Sequence, residues 1–310
     1  MEPREQTNLF GYSKEFNNII NIYNSGKLPN KIIFSGKKGI GKSTFAFHLI
    51  NYINSINETD SYNLQNLKII NTNRSFKLQL QNIHPNIHYI GIKKGKKIIE
   101  IDEIRNLNSF VNRSSFNDGL KIVLIDDIEM LSLNASNALL KLIEEPNKNV
   151  QYILIYNNTK FVLDTIKSRC IDFKFYLKEK YYPDVVNDYF KRKIYDELNS
   201  DFKNIYLTPM NLINVINLIN DNKFNLEEVD IEKLLEIIVN NELYKTRIND
   251  ISEFKLYLEI FFLKKYKKSY SLGLLKKINY LNSKFSNILR YNLDLSSFIL
   301  EFRSLILNEK

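Results

Sequence analysis

Between residues 30 and 178, short apolar runs alternate with stretches in which apolar residues recur every three or four positions. The runs 31–35, 87–92, 121–126, 152–157 and 171–175 have the length and the Ile, Val, Leu, Phe and Tyr content of strands. Between them, Ile101, Ile104, Leu107 and Val111 predict one amphipathic helix. Leu133, Leu139, Leu140 and Ile143 predict another, started near Ser132 and stopped before Pro146. Strands alternating with helices in this way imply a parallel α/β sheet. Residues 55–83 are polar, Asn-rich and weakly periodic, and are expected to form an insertion or long loop, partly mobile.

From about residue 179 the strand pattern stops. Residues 180–223 predict two or three short helices, with Pro183 and Pro209 as breakers. Residues 226–310 are helical by period. One stripe is Phe254, Leu258, Phe261 and Phe262; a second is Leu274, Ile278, Leu281, Phe285 and Leu289; a third is Leu295, Phe298, Ile299, Phe302 and Leu305. These stripes are expected to form core and to extend an apolar face to a neighbour. The expected division is 1–178, 179–224 and 225–310.

Composition narrows the class. At 310 residues and 44% hydrophobic, the chain is long enough for two or three domains with real cores. Its first residues are charged, unlike a signal peptide, and no apolar run approaches the roughly 18 residues of a membrane span. A cytoplasmic location is expected. The single cysteine, Cys170, excludes an intrachain disulfide and a cysteine-rich zinc site, and it reads as a small buried apolar residue. The net charge of +9 permits contact with nucleic-acid phosphates, and equally fits a lysine-biased composition. Lys93, Lys94, Lys96 and Lys97 around Gly95 read as a solvated turn. Lys264, Lys265, Lys267 and Lys268 read as a basic patch on a helix.

The chemistry starts at residues 36–44, Gly-Lys-Lys-Gly-Ile-Gly-Lys-Ser-Thr, a complete phosphate-binding loop between a strand and a helix. Gly36, Gly39 and Gly41 let the backbone curl so that its N–H groups converge on an anion. Lys42 can reach the β- and γ-phosphates, and Ser43, followed by Thr44, can ligate Mg²⁺. Phe45, Ala46, Leu49, Ile50 and Ile53 then recur at helical spacing, which places the loop at a helix N-terminus. Lys121 to Asp127 is a second element, an apolar strand ending in two carboxylates. There Asp126 would hold the metal through water. Active ATPases of this architecture usually carry Glu at the next position, to polarise the attacking water. Asp127 is one methylene shorter, which withdraws the carboxylate by roughly 1 Å and can cost about 10²-fold in rate. Glu129 is a less favoured substitute because of its register. Asn157, after the strand 152–157, is a candidate to touch the γ-phosphate or order the water. Arg169 reads either as a surface charge or as an arginine finger for a neighbouring subunit's nucleotide.

Several segments resemble the AAA+ subunits of the bacterial clamp loader. They are Asn137-Ala138-Leu139-Leu140-Lys141-Leu142-Ile143-Glu144-Glu145-Pro146 and Ser168-Arg169-Cys170; His84-Pro85-Asn86, similar to the family's His-Pro-Asp; and Ile101-Asp102-Glu103-Ile104-Arg105, similar to its Ile-Asp-X-Ile-Arg. Pro3-Arg4 with Leu9-Phe10-Gly11 resembles the family's N-terminal segment, which lies near the adenine. Tyr291-Asn292-Leu293-Asp294 resembles the Asn-Leu-Asp of the delta-prime kind. The resemblance implies an AAA+ core, a helical lid over 179–224 and a collar over 225–310 that joins subunits into a pentamer. It implies partners: gamma/tau-type and delta-type subunits, the sliding clamp and primed DNA. It also implies that Arg169 acts in trans on ATP held by a motor subunit. Three departures bear on the chain's own site. The phosphate loop is intact, where many delta-prime subunits have lost it, so ATP and Mg²⁺ binding stay open. No cysteine follows the loop in residues 55–83, so no zinc is expected, and His84 and His88 read as structural. The segment 209–222 carries no Arg or Lys where active motors place a γ-phosphate sensor. Together with Asp127, this points to poor hydrolysis and an assembly role; a gamma/tau-type motor is the alternative. Chain length argues against the long tau form, and a stand-alone kinase or DNA-dependent ATPase leaves the Ser-Arg-Cys segment unexplained.

Overall fold

The computed structural model describes residues 2–93, 95–113, 115, 119–145, 149–203, 207–243, 251–268, 270–291 and 293–304. Five strands, β1 (Lys31–Ser35), β2 (Ile87–Ile90), β3 (Lys121–Ile125), β4 (Val150–Tyr156) and β5 (Ile171–Lys174), form one sheet ordered β2-β3-β4-β1-β5. Every pairing is parallel. The strands fall where the apolar runs predict them, with ends shifted by two residues or fewer. Pro146, the expected stop signal of a helix, and Lys94 lie outside the described residues.

A parallel sheet needs crossovers, and the crossovers cover it with helices. On one face, Ile32, Phe34, Ile122, Leu124, Ile153 and Ile155 pack with α1 (Ser13–Asn24) and α2 (Lys42–Ser55). On the other, Ile33, Val123, Ile125, Tyr152 and Leu154 pack with α4 (Ile101–Asn112) and α5 (Leu133–Glu144). The short helices α3 (Arg74–Leu80) and α6 (Asp164–Lys167) complete the α/β layer. Because consecutive residues of β1, β3 and β4 are buried on opposite faces, these strands read as unbroken apolar runs rather than alternating ones. This is the P-loop α/β core that the resemblance implies.

Residues 55–83 differ from expectation. α2 runs to Ser55, and residues 74–80 form α3. Its N-terminus is capped twice. Asn73 Oδ1 accepts from the Phe76 N–H at 2.7 Å, and Glu58 accepts from the Arg74 and Ser75 N–H groups at 3.0 and 3.1 Å. Asn73 also donates to Asp60 O and accepts from Asn51 Nδ2. Polar side chains that break periodicity in the sequence here satisfy backbone groups, so weak periodicity does not mean absence of structure.

The chain separates into two compact units, Met1–Tyr189 and Phe190–Lys310. The first contains all of α7 (Tyr182–Phe190) but its last residue; the second contains α8 (Ser200–Lys203), α9 (Pro209–Asp221), α10 (Ile231–Asn240), α11 (Ile251–Lys268), α12 (Leu272–Tyr291) and α13 (Leu295–Phe302). Pro183 and Pro209 do not break helices. Each sits in a first turn, where its missing N–H has no intrahelical partner to lose. Phe254, Leu258, Phe261, Phe262, Ile278, Leu281, Phe285, Leu295, Phe298, Ile299 and Phe302 are buried. Leu274 is half-buried, while Leu305 and the Leu289 side chain lie outside the described part, as does Asn292.

Lys264 leaves the expected basic patch. Its Nζ donates to Asp201 Oδ2 and Asp230 Oδ2, each at 2.7 Å, while Asp230 Oδ1 caps α10 through the Lys233 N–H. Lys264→Ala leaves two converging carboxylates without their cation. A stability loss of about 1–2 kcal/mol is expected, below that of a fully buried pair because Asp230 still reaches water. Urea unfolding checks it: Asp201→Asn in the same background should restore part of the loss.

Candidate nucleotide site and the Arg169 segment

The sheet order assembles the site. β4 lies between β1 and β3, so the segments leaving their carboxyl ends converge: the phosphate loop from β1, Asn157 from β4, and Asp126 and Asp127 from β3. Ligands of open α/β sheets sit at such carboxyl ends. The Gly36 N–H donates to Tyr156 O at 3.1 Å, which ties the loop to β4. A Cβ at Gly36 would lie 2.5 Å from Phe175 O, so only glycine fits. Gly39 and Gly41 have φ of 82° and 91°, and Gly41 is the N-cap of α2.

Lys42 is buried, and its Nζ donates to Gly36 O at 2.9 Å and Lys37 O at 2.6 Å, folding back over its own loop. Burial lowers its pKa to about 8, against the opposing pull of Asp126. Ser43 Oγ donates to Asp126 Oδ2 at 2.7 Å, which places two hard oxygen atoms side by side, the ligand chemistry Mg²⁺ takes. Thr44 lies in the same turn, half-buried. Burial first, and the neighbouring Asp127 second, raise the Asp126 carboxyl to about 6.

The residues beside this pair are engaged with one another. Asp127 sits in the left-handed region at φ 53°, and its Oδ1 accepts from Asn157 Nδ2 at 2.6 Å. Burial raises its pKa as well. Glu129 is buried, accepting from the Asn157 N–H at 3.1 Å and the Thr159 hydroxyl at 2.8 Å. Both of its oxygens serve the β4 terminus, which explains its weakness as a substitute for Asp127. His84 accepts from the Asn86 N–H, and the His88 ring packs on Phe110. Among the described residues no group of three or more His, Cys, Asp or Glu side chains is placed to hold a metal ion.

Arg169 is not part of this constellation. Following α6, its guanidinium donates to Thr165 O at 2.9 Å and pairs with Glu144 at 2.7 Å, at the end of α5. Two segments that carry the resemblance therefore meet through one ion pair. Cys170 is buried among apolar side chains, and burial raises its thiol to about 11.

Two residues without any local sequence signal complete the site's surroundings. The buried His48, on α2, bonds Gln6 O through Nε2 at 3.1 Å and the Tyr62 hydroxyl through Nδ1 at 2.8 Å. A carbonyl only accepts, so Nε2 carries the proton and Nδ1 accepts from Tyr62. Burial lowers the His48 pKa to about 3. Tyr12, just before α1, donates its hydroxyl to Ile40 O in the phosphate loop at 2.8 Å. Both contacts span sequence separations that periodicity cannot show.

Comparison with known proteins places residues of this site within a family match. Residues 11–178, more than half of the chain, match the family model described as DNA polymerase III, delta subunit. The chain is 38% identical over 88 residues to the DNA polymerase III subunit delta' of Pseudomonas aeruginosa, covering 28% of this chain and 27% of that one. It is 25% identical over 156 residues to the subunit delta' of Escherichia coli, covering 50% and 45%. With the subunit gamma of Buchnera aphidicola it shares 28% over 174 residues, covering 56% and 45%. The chain thus spans about half or less of the length of the curated relatives it matches. A gamma subunit-related protein from Thermotoga maritima aligns with a TM-score of 0.48 at 15% identity, covering 93% of this chain and 97% of that one. On the match over residues 11–178, the chain belongs to the DNA polymerase III, delta subunit family.

Proposed function

We propose that the chain is a delta-prime-like subunit of the replicative clamp loader. It assembles with gamma/tau-type motor subunits and a delta-type subunit, and supplies Arg169 in trans during ATP-dependent loading of the sliding clamp onto primed DNA. It works in the cytoplasm and carries no zinc. The observation that carries this reading is the position of Arg169. It lies outside the chain's own phosphate-loop constellation, partly exposed and steadied by Glu144. A guanidinium held so is available to a phosphate on another molecule. Residues 179–224 act as the lid and 225–310 as the collar.

The chain's own site fits ATP with Mg²⁺. Gly36, Gly39, Gly41 and Lys42 provide the phosphate cradle, and Ser43 and Asp126 the oxygen ligands. Bound ATP supplies the phosphoanhydride; the rest is done by these residues. Poor turnover follows from the water-polarising position. The Asp127 carboxylate is short and already bonded to Asn157, and Glu129 is committed to Asn157 and Thr159. The second reading is a gamma/tau-type motor subunit, favoured by the complete phosphate loop.

ATP turnover of the isolated chain, with and without primed DNA, separates the two. The delta-prime reading expects turnover near background in both. Brisk hydrolysis would favour the motor. Affinity purification from the native host should return other clamp-loader subunits, and their absence would remove the basis of both readings.

A further inference from the structure

The phosphate loop turns over between Gly39 and Gly41, and its crest residue is Ile40. Both flanking glycines hold positive φ, so the backbone there has little steric resistance to rotation of the peptide planes. For an anion site this freedom is a liability. The Ile40–Gly41 peptide is trans, so its C=O and N–H point to opposite sides. In one orientation the N–H faces the cradle; in the flipped one a carbonyl oxygen does, and repels phosphate.

The structure contains a device that selects one orientation. Tyr12 is buried, wedged between Phe45 at 5.8 Å and Phe175 at 5.4 Å between ring centres. Its ring edge lies under the loop, 3.9 Å from where a Gly41 Cβ would be. Its hydroxyl donates to Ile40 O at 2.8 Å. Burial pushes the phenol far above its ordinary pKa, so it remains a donor throughout the accessible pH range. The ring's own position is held from two sides: it sits in the apolar cluster beneath β1 and α2, and its residue directly precedes α1.

We propose that Tyr12 is a positioning residue of the nucleotide site. By holding the Ile40 carbonyl on the core side, it keeps the Gly41 N–H aimed into the phosphate cradle. This rests on the reading of the loop as a nucleotide site. It concerns the phosphate half of the ligand only, so ATP and inorganic tripolyphosphate should depend on Tyr12 equally.

Tyr12→Phe removes one hydroxyl and leaves the ring packing in place. In the full chain, calorimetric titration with Mg-ATP and with Mg-tripolyphosphate should show both affinities reduced about tenfold, the worth of one well-made buried hydrogen bond. Lys42→Ala serves as the site control. The amide NMR resonance of Gly41 should broaden or split in ligand-free Tyr12→Phe, while the resonances of α4 and α5 stay close to those of the unaltered chain. Unchanged affinities with an unchanged Gly41 resonance would overturn the proposal, as would a loss confined to ATP. If the unaltered chain binds neither ligand, the nucleotide reading fails on its own account. The Gly41 resonance then still decides whether Tyr12 holds the loop.

Discussion

On the proposed trans role, Arg169→Ala is expected to lower ATP hydrolysis by a reconstituted clamp-loader complex by about 10³-fold or more at the neighbouring site, the usual worth of an arginine finger. The isolated chain should be nearly indifferent to the change. Its contacts there, Glu144 at 2.7 Å and Thr165 O at 2.9 Å, involve a side chain 39% exposed, and such ion pairs contribute little to folding. A large effect on the assembly with little effect on the monomer is the signature of a group that works on another subunit. Arg169→Lys should rescue poorly, because an ammonium cannot reproduce the planar fork that donates to two oxygens at once. Total hydrolysis and clamp loading that survive Arg169→Ala unaltered would remove the trans role.

Asp126→Asn should have the opposite balance, stabilising the nucleotide-free chain while abolishing Mg²⁺-dependent nucleotide binding. The carboxyl is buried beside Asp127, and its pKa stands at about 6 against an ordinary 3.8. A carboxyl raised on folding binds its proton more tightly in the native state. Stability therefore falls as pH climbs from about 4 to 6, and the full penalty, on the order of 3 kcal/mol, is present above 6. Asparagine escapes that penalty; its Oδ1 can accept from the Asp127 N–H while its Nδ2 donates to the Ser43 hydroxyl, which accepts as well as donates.

His48 tilts the pH profile the other way. Its folded pKa of about 3 lies below the ordinary 6.5, so its contribution is complete above 6.5 and is lost as pH falls toward 3. In the unaltered chain the two slopes oppose each other between about pH 4 and 6. In Asp126→Asn this carboxyl's opposing slope is removed, while the histidine's, about 1.4 kcal/mol per pH unit, is kept. Urea unfolding at pH 8, 6, 5 and 4 should show a gain from Asp126→Asn that is greatest at pH 8 and fades toward pH 4. A variant no more stable than its parent at pH 8 would show that Asp126 carries no such penalty.

The strands were legible because both faces of β1, β3 and β4 are buried, and full burial leaves a continuous apolar signature. The phosphate loop was legible because its chemistry is local: glycines, Lys42 and Ser43 act within nine consecutive residues. Residues 74–80 were not legible as a helix. Seven residues give little period to read, and this helix draws its order from Glu58 and Asn73, which look like loop residues in the sequence. Lys264 was misread for a similar reason. Four lysines in five residues resemble a solvated patch, and nothing nearby in the sequence announces Asp201 and Asp230.

The residue types of the site, its strand–helix setting and the clamp-loader resemblance were all contained in the order of amino acids, because each depends on short spacings along one chain. The pairing of β4 between β1 and β3 was not, and that pairing brings the Asn157 side chain to Asp127 and its N–H to Glu129. Nor did the sequence announce Tyr12 against Ile40, His48 between Gln6 and Tyr62, or Glu144 on Arg169. These are contacts between positions far apart in the chain. They exist only once loop-closure entropy has been overcome by the burial of a common core, and no local pattern records which distant partner that core delivers.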